Sequence, residues 1–277
     1  MIHAITTGHV RITNKWVNGE GQGLRRLINS VMDKNYTDWL PIWCFVIEHP
    51  EGLIVIDTGI PENANQPYYF PPYMPLLQRA AKFKMTREQE IGHQMRERGL
   101  NPDDVRYVIL THLHQDHDGG LHNFPNAEFI VSRTEWKLAS GLIGRIGGYL
   151  NQRWVDFFAP TLVDFTDGAY EAFPESYRLF DDIILVPTPG HSEGQMAIIY
   201  NTDDMQFLFI GDAAYTANAL LNTVLDGVTE NLDHARTTMQ RLRETMNTQT
   251  SVVLPSHDPE SEQRLQAISG KKAIFLT

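Results

Sequence analysis

Six residues constrain this chain more than any other feature: His112-Leu113-His114-Gln115-Asp116-His117, directly after the apolar run Val108-Ile109-Leu110. In an extended segment residues two apart project to the same side, so His112 and His114 can grip one ion together. Asp116 and His117 follow where the chain turns, and can present ligands to a second ion. Gly119-Gly120 then supply backbone clearance. Imidazole and carboxylate suit zinc, iron, cobalt or manganese. Random placement would produce this spacing roughly once in a thousand chains of the same composition. A solvated His-rich turn is therefore the weaker explanation.

Three further polar residues sit where apolar strands give way to loops, the usual place for functional groups on a layered scaffold. His191 lies in Thr188-Pro189-Gly190-His191-Ser192, Asp212 in Phe209-Ile210-Gly211-Asp212, and His257 in Leu254-Pro255-Ser256-His257. Asp57 ends another strand and is expected to orient a ligand histidine. Asp118 reads as a structural or supporting group in the turn. The remaining six of the 11 histidines (His3, His9, His49, His93, His122 and His234) lack metal-ligand context and read as structural or surface groups. The one cysteine, Cys44, excludes a disulfide within the chain and any Cys-based zinc knuckle. Its place in an apolar strand marks it as a core thiol.

Period-two and β-branched patterning predicts strands at residues 2–13, 43–47, 52–56, 106–110, 128–132, 182–186, 196–200, 206–210 and 252–254. His49-Pro50-Glu51-Gly52 supplies the turn of a hairpin. Thr86 and Ser132 each open a capping-box pattern, and Asp233 is expected to cap a helix with Ala235, Met239, Leu242 and Met246 on its apolar face. Two stretches resist assignment: 15–40, glycine-rich and then amphipathic, and 61–85, an aromatic and proline-rich loop of the kind that needs a partner or ligand to cover it. With no repeat and no composition break in 277 residues, a single layered α/β domain is expected. Lys and Arg total 23 against 34 Asp and Glu, a net charge of -11. That balance argues against nucleic acid and against an anionic membrane surface. The N-terminal residues lack a signal-peptide pattern, so a cytoplasmic protein is expected.

Together these residues resemble the metallo-β-lactamase superfamily, from the Ile54-Val55-Ile56-Asp57-Thr58-Gly59 strand to His257. The resemblance implies an αββα four-layer sandwich with a dinuclear centre at one edge of two sheets. It implies His112, His114 and His191 on one metal, Asp116, His117 and His257 on the other, and Asp212 bridging both. Two divalent ions per chain are expected, with zinc foremost and iron, cobalt or manganese as alternatives. Such a pair lowers the pKa of a shared water, and the bridging hydroxide attacks a polarised carbonyl.

Asp212 narrows the substrate, because true β-lactamases of this fold usually carry another residue there. Di-iron flavin-linked relatives place Glu where this chain has His114. Thioesterases resembling glyoxalase II and the quorum-quenching lactonases share the aspartate. Tyr215, three residues beyond it, resembles the tyrosine with which N-acyl homoserine lactone lactonases donate to the lactone oxygens. Asp116 is the group expected to pass a proton to the leaving oxygen. Tyr69, Phe70 and Met74 in the aromatic loop are expected to line an acyl channel. The 15–40 insertion resembles that of dimeric lactonases, which implies a homodimer. The expected activity is hydrolysis of an N-acyl homoserine lactone. A thioester or other ester hydrolase is the alternative, and a non-catalytic metal-binding scaffold stands third.

Overall fold

Several strands are apolar at every position, which requires burial on both faces. The computed structural model, which describes residues 1–269, shows how that is met. One sheet contains β1 (Ile2–Ile12), β2 (Leu40–His49), β3 (Gly52–Ile56), β4 (Ala81–Lys84), β5 (Val105–Ile109), β6 (Glu128–Ser132) and β7 (Thr161–Val163). They lie in the order β4-β1-β2-β3-β5-β6-β7. The other contains β8 (Tyr177–Arg178), β9 (Ile183–Pro187), β10 (Met196–Asn201), β11 (Gln206–Gly211) and β12 (Ser251–Pro255). Their order is β12-β11-β10-β9-β8.

Alternation along each strand splits its side chains between two cores. Phe45 and Ile47 of β2, Ile54 and Ile56 of β3, and Ile198 and Phe209 of β10 and β11 meet between the sheets. Phe45 and Phe209 touch across that layer with ring centroids 5.0 Å apart. Truncation of such a side chain costs about 3–5 kcal/mol. Cys44 and Val46 face the other way, onto helices Ile91–Glu97 and Arg133–Ala139. Leu208 and Ile210 likewise face helix Leu232–Met246 through Ala235, Met239 and Leu242. The result is an αββα sandwich.

Three short strands, β4, β7 and β8, lie outside the sequence expectation. The 61–85 segment is not an open loop: it holds the helix Pro75–Ala80 and β4, which pairs with β1 from His9↔Lys84 to Ile12↔Ala81. Helix Leu232–Met246 is capped by Asn231, whose Oδ1 accepts from the amides of Asp233 and His234 at 3.2 Å each. Asp233 instead lies in the first turn, where its charge favours the helix dipole. The 15–40 segment crosses between β1 and β2 as two helices, Asn14–Val17 and Gly23–Met32. No helix among the described residues is long and apolar enough to cross a membrane.

Candidate metal centre

β3, β5, β9, β11 and β12 all end at the same edge of the sandwich. They deliver Asp57, the 112–117 segment, His191, Asp212 and His257 to one place. Asp57 holds a left-handed φ of 57°, which Asp tolerates better than most residues. Its carboxylate is fixed there by the Thr111 amide (2.8 Å) and hydroxyl (2.9 Å). Gly120 packs against the Thr58 carbonyl so closely that a Cβ would lie 2.2 Å from the oxygen. That close approach seats the turn after the motif.

The donor atoms gather in three overlapping groups: His112 with His114 and His191; His112 with His117 and Asp212; and Asp116 with His117 and His257. Within each group they lie within 4.8 Å of one another. Asp212 faces both halves. One carboxylate oxygen is 3.4 Å from His117 Nε2 and 3.3 Å from His257 Nε2, and the other is 3.7 Å from His191 Nε2. His112 Nε2, His117 Nε2 and one Asp212 oxygen are buried without a hydrogen-bond partner. Each such atom costs about 1–3 kcal/mol, which a bound cation offsets. This donor set fits a pair of divalent ions.

The opposite ring nitrogens are held, which fixes ring orientation. His117 Nδ1 lies 2.8 Å from Asp57, His191 Nδ1 3.1 Å from Asp226, and His257 Nδ1 2.9 Å from the Pro41 carbonyl. Burial pushes His112 and His114 well below the ordinary histidine range. Burial also opposes protonation of His191, but Asp226 outweighs it and raises that ring to about 9. His117 is raised in the same way, with Asp57 and then Asp212 overcoming burial. Burial would lift the Asp212 carboxyl, yet His257 and His117 hold it well below the usual range. A metal therefore competes with protons at His191 and His117 and meets neutral rings at His112 and His114.

Three supporting residues lie outside the sequence expectation for the site. Glu135 is buried and spans two ligand loops, accepting from the Leu113 amide at 2.9 Å and from the Ser192 hydroxyl. Leu113 separates His112 from His114, and Ser192 follows His191, so one carboxylate ties together the segments that carry all three. Asp226 is held in turn by Arg26, which donates to the carbonyls of Asp226 (2.9 Å) and Leu225. Trp16 Nε1 donates to Tyr215 Oη at 2.9 Å. No local pattern marks Trp16 or Asp226. Glu135 did carry one, but as the third residue of a capping box.

Tyr215 is buried, with its ring stacked on His257 at 5.2 Å. Burial first, and then Asp212, raises its phenol well above the ordinary value, so it stays neutral and can donate. Asp116 Oδ2 is 3.5 Å from His257 Nε2 and keeps some solvent exposure. His114, Asp116, His191, Asp212, Tyr215 and His257 all face one cavity of about 930 Å³. Leu27, Val31, Tyr73, Met74, Leu77 and Phe83 are among the residues of its apolar wall.

That wall corrects part of the sequence expectation. Met74 lines the cavity, but Tyr69 and Phe70 do not. Tyr69 is packed under the Arg153 guanidinium, 4.4 Å from its ring centroid, and borders a separate polar cleft of about 490 Å³. Phe70 is buried between Tyr69 and Phe83. Tyr69 and Phe70 are covered within the protein, and the wall is shared by Met74 and its neighbours in 61–85 with the helix Gly23–Met32. Asp118 accepts from Trp154 Nε1 at 2.6 Å and plays a structural part. Among the histidines outside the site, His3, His49, His122 and His234 pair with carboxylates.

A polyhistidine and carboxylate cluster at the shared edge of two sheets, inside an αββα sandwich, defines a metallohydrolase class of fold. The chain belongs to the metallo-beta-lactamase superfamily, whose family model matches residues 37–257. The chain is 30% identical over 240 residues to an N-acyl homoserine lactonase of Bacillus thuringiensis, covering 85% of this chain and 88% of the relative. It is 31% identical over 235 residues to the N-acyl homoserine lactonase AttM of Agrobacterium fabrum, covering 80% and 83%. A solved N-acyl homoserine lactone hydrolase with N-hexanoyl-L-homoserine bound at its catalytic metal centre superposes with a TM-score of 0.76 at 27% identity. That match covers 95% of this chain and 94% of the other.

Proposed function

We propose that this protein hydrolyses the lactone ring of N-acyl homoserine lactones, with two divalent ions held by His112, His114 and His191 on one side and Asp116, His117 and His257 on the other, Asp212 between them. The observation that carries the reading is the cavity itself: the donor cluster and the neutral Tyr215 phenol share its floor, and its wall is apolar. When bound, the metals supply an activated water and polarise the ester carbonyl.

The chain's own residues do the rest. Tyr215 donates its phenolic hydrogen to a lactone oxygen, a neutral donor suited to a neutral substrate. Trp16 occupies one lone pair of the phenol oxygen and so leaves that hydrogen for the substrate. Asp116, at the solvent side of the site, takes up the proton that the attacking water releases and passes it to the ring oxygen as it leaves. The apolar wall takes the acyl chain and keeps bulk water from it. A glutathione thioester fits poorly, since its carboxylates need free cations. The Arg26 guanidinium in the wall is buried and committed to backbone carbonyls.

A location in the cytoplasm and zinc as the resident metal belong to the same reading. Acid release from a medium-chain N-acyl homoserine lactone, followed at constant pH with metal-loaded protein, tests it. Lactone turnover with little cleavage of S-lactoylglutathione is the expected result. Strong thioester cleavage without lactone turnover refutes it.

A further inference from the structure

The 15–40 insertion and the segment after residue 68 form a pole unlike the rest of the surface. Helix Gly23–Met32 is amphipathic, yet Leu24, Leu27, Ile28 and Met32 are exposed, Leu24 at 73%. Tyr73 and Leu76 add to the same patch beside the cavity mouth. Isolated exposed apolar residues are ordinary, but a contiguous group of this size marks a surface that meets something apolar.

Charge says what that something is. Residues 11–40 and 68–84 hold eight Lys and Arg against three Asp and Glu, whereas the whole chain holds 23 against 34. Arg11, Arg25, Lys34, Arg79 and Lys82 make no ion pair among the described residues, although acids outnumber bases elsewhere. Contacts tie four of the patch's elements together. Arg11 pairs with Lys82 across β1 and β4, and its guanidinium lies 5.4 Å above the Tyr36 ring. Tyr36 Oη donates to the Arg79 carbonyl at 2.7 Å, and Arg79 Nη1 lies 3.9 Å from Met32 Sδ.

We propose that this pole docks on an anionic lipid bilayer, with Leu24, Leu27, Ile28, Met32, Tyr73 and Leu76 entering the interface and the unpaired cations facing lipid headgroups. An interfacial helix with basic flanks is built this way. Each Lys or Arg near an anionic surface contributes about 1 kcal/mol. A second copy of the chain is the competing occupant. The resemblance of 15–40 to dimeric lactonases points to that occupant, but a two-fold contact would set a patch with eight bases and three acids against its own copy, positive on positive. The net charge of -11 argued against membranes only as an average over the whole surface. Under the proposed activity, on which this clause alone rests, the cavity would open onto the bilayer and an amphiphilic acyl lactone would enter without crossing water.

The test is sedimentation of the metal-loaded protein with phosphatidylglycerol–phosphatidylcholine vesicles and with pure phosphatidylcholine vesicles, at low salt and at about 0.15 M. Binding to the anionic vesicles only, weakened by salt, is expected. The double variant Lys34→Glu/Lys82→Glu should lose at least about tenfold in vesicle affinity. Met32→Ser should also weaken binding. All three positions lie outside the cavity wall, so hydrolysis of a soluble short-chain lactone should stay unchanged in these variants. Equal binding to both vesicle types, binding unchanged in the double variant, or no binding to anionic vesicles at low salt overturns the proposal. So does a lipid-free dimer that Met32→Ser dissociates. None of these outcomes depends on turnover, so failure here and failure of the lactonase reading are separately visible.

Discussion

Replacing Trp16 by Phe removes one N–H donor from Tyr215 and tests whether the phenol acts through its orientation. The bond is 2.9 Å long and joins two neutral groups at a partly buried position. Its net worth is therefore about 1 kcal/mol. If all of that holds the phenolic hydrogen toward the cavity, turnover should fall about fivefold. The backbone around residue 16 should stay in place, because its carbonyl accepts from the Gly227 amide at 2.6 Å whatever the side chain. Indole also lines the cavity, so some change in KM is expected from lost packing. The discriminating measurement is a double-mutant cycle on kcat for lactone hydrolysis. Tyr215→Phe alone should lower turnover about tenfold, and adding Trp16→Phe should lower it no further, a coupling of about 1 kcal/mol. An equal loss from Trp16→Phe in both backgrounds would show that the indole acts by packing alone, and the orientation argument would fail.

Two other perturbations follow from the same geometry. Asp57→Asn keeps the shape and tolerates the left-handed backbone, but offers its amide nitrogen where either Thr111 or His117 needs an acceptor; metal affinity should fall about 10–100-fold, read by chelator competition. Burial raises the Asp118 carboxyl to about 8, above its unfolded value, so the native state favours its protonated form. The stability this contributes is complete below about pH 4 and is lost as pH rises toward 8. Asp118→Asn should therefore gain stability relative to the parent across that range, most at pH 8 and above, in thermal melts of chelator-treated protein; a difference independent of pH would refute the account.

How much of this was legible in the sequence depends on the distance over which each residue acts. The doubly buried strands were readable, because apolar runs such as Trp43-Cys44-Phe45-Val46-Ile47 state their burial locally. The donors were readable because each sits one or two residues past such a run and their types are rare together. β7 and β8 have three and two residues, too few to show a period. Tyr69 and Phe70 show the opposite limit. Their composition declares a need for apolar cover but not its source, and Phe83 with Arg153 supplies it from 13 and 84 residues away. Tyr215 and Trp16 meet across 199 residues, so neither announces the other.

Glu135 marks the boundary most sharply. Ser132 does cap the helix, accepting from the Glu135 amide at 3.1 Å, so half of the sequence motif is realised. The carboxylate does not fold back onto the cap. It crosses to the Leu113 amide and the Ser192 hydroxyl, because β6 ends beside the loops that follow β5 and β9. A local signal thus fixed where the helix begins and left open where its third side chain would go. That choice was made by the packing of one sheet on the other, which brings one buried carboxylate between two loops carrying three of the histidines. Sequence pattern names the donors of such a centre; the packing of the sheets determines what holds them still.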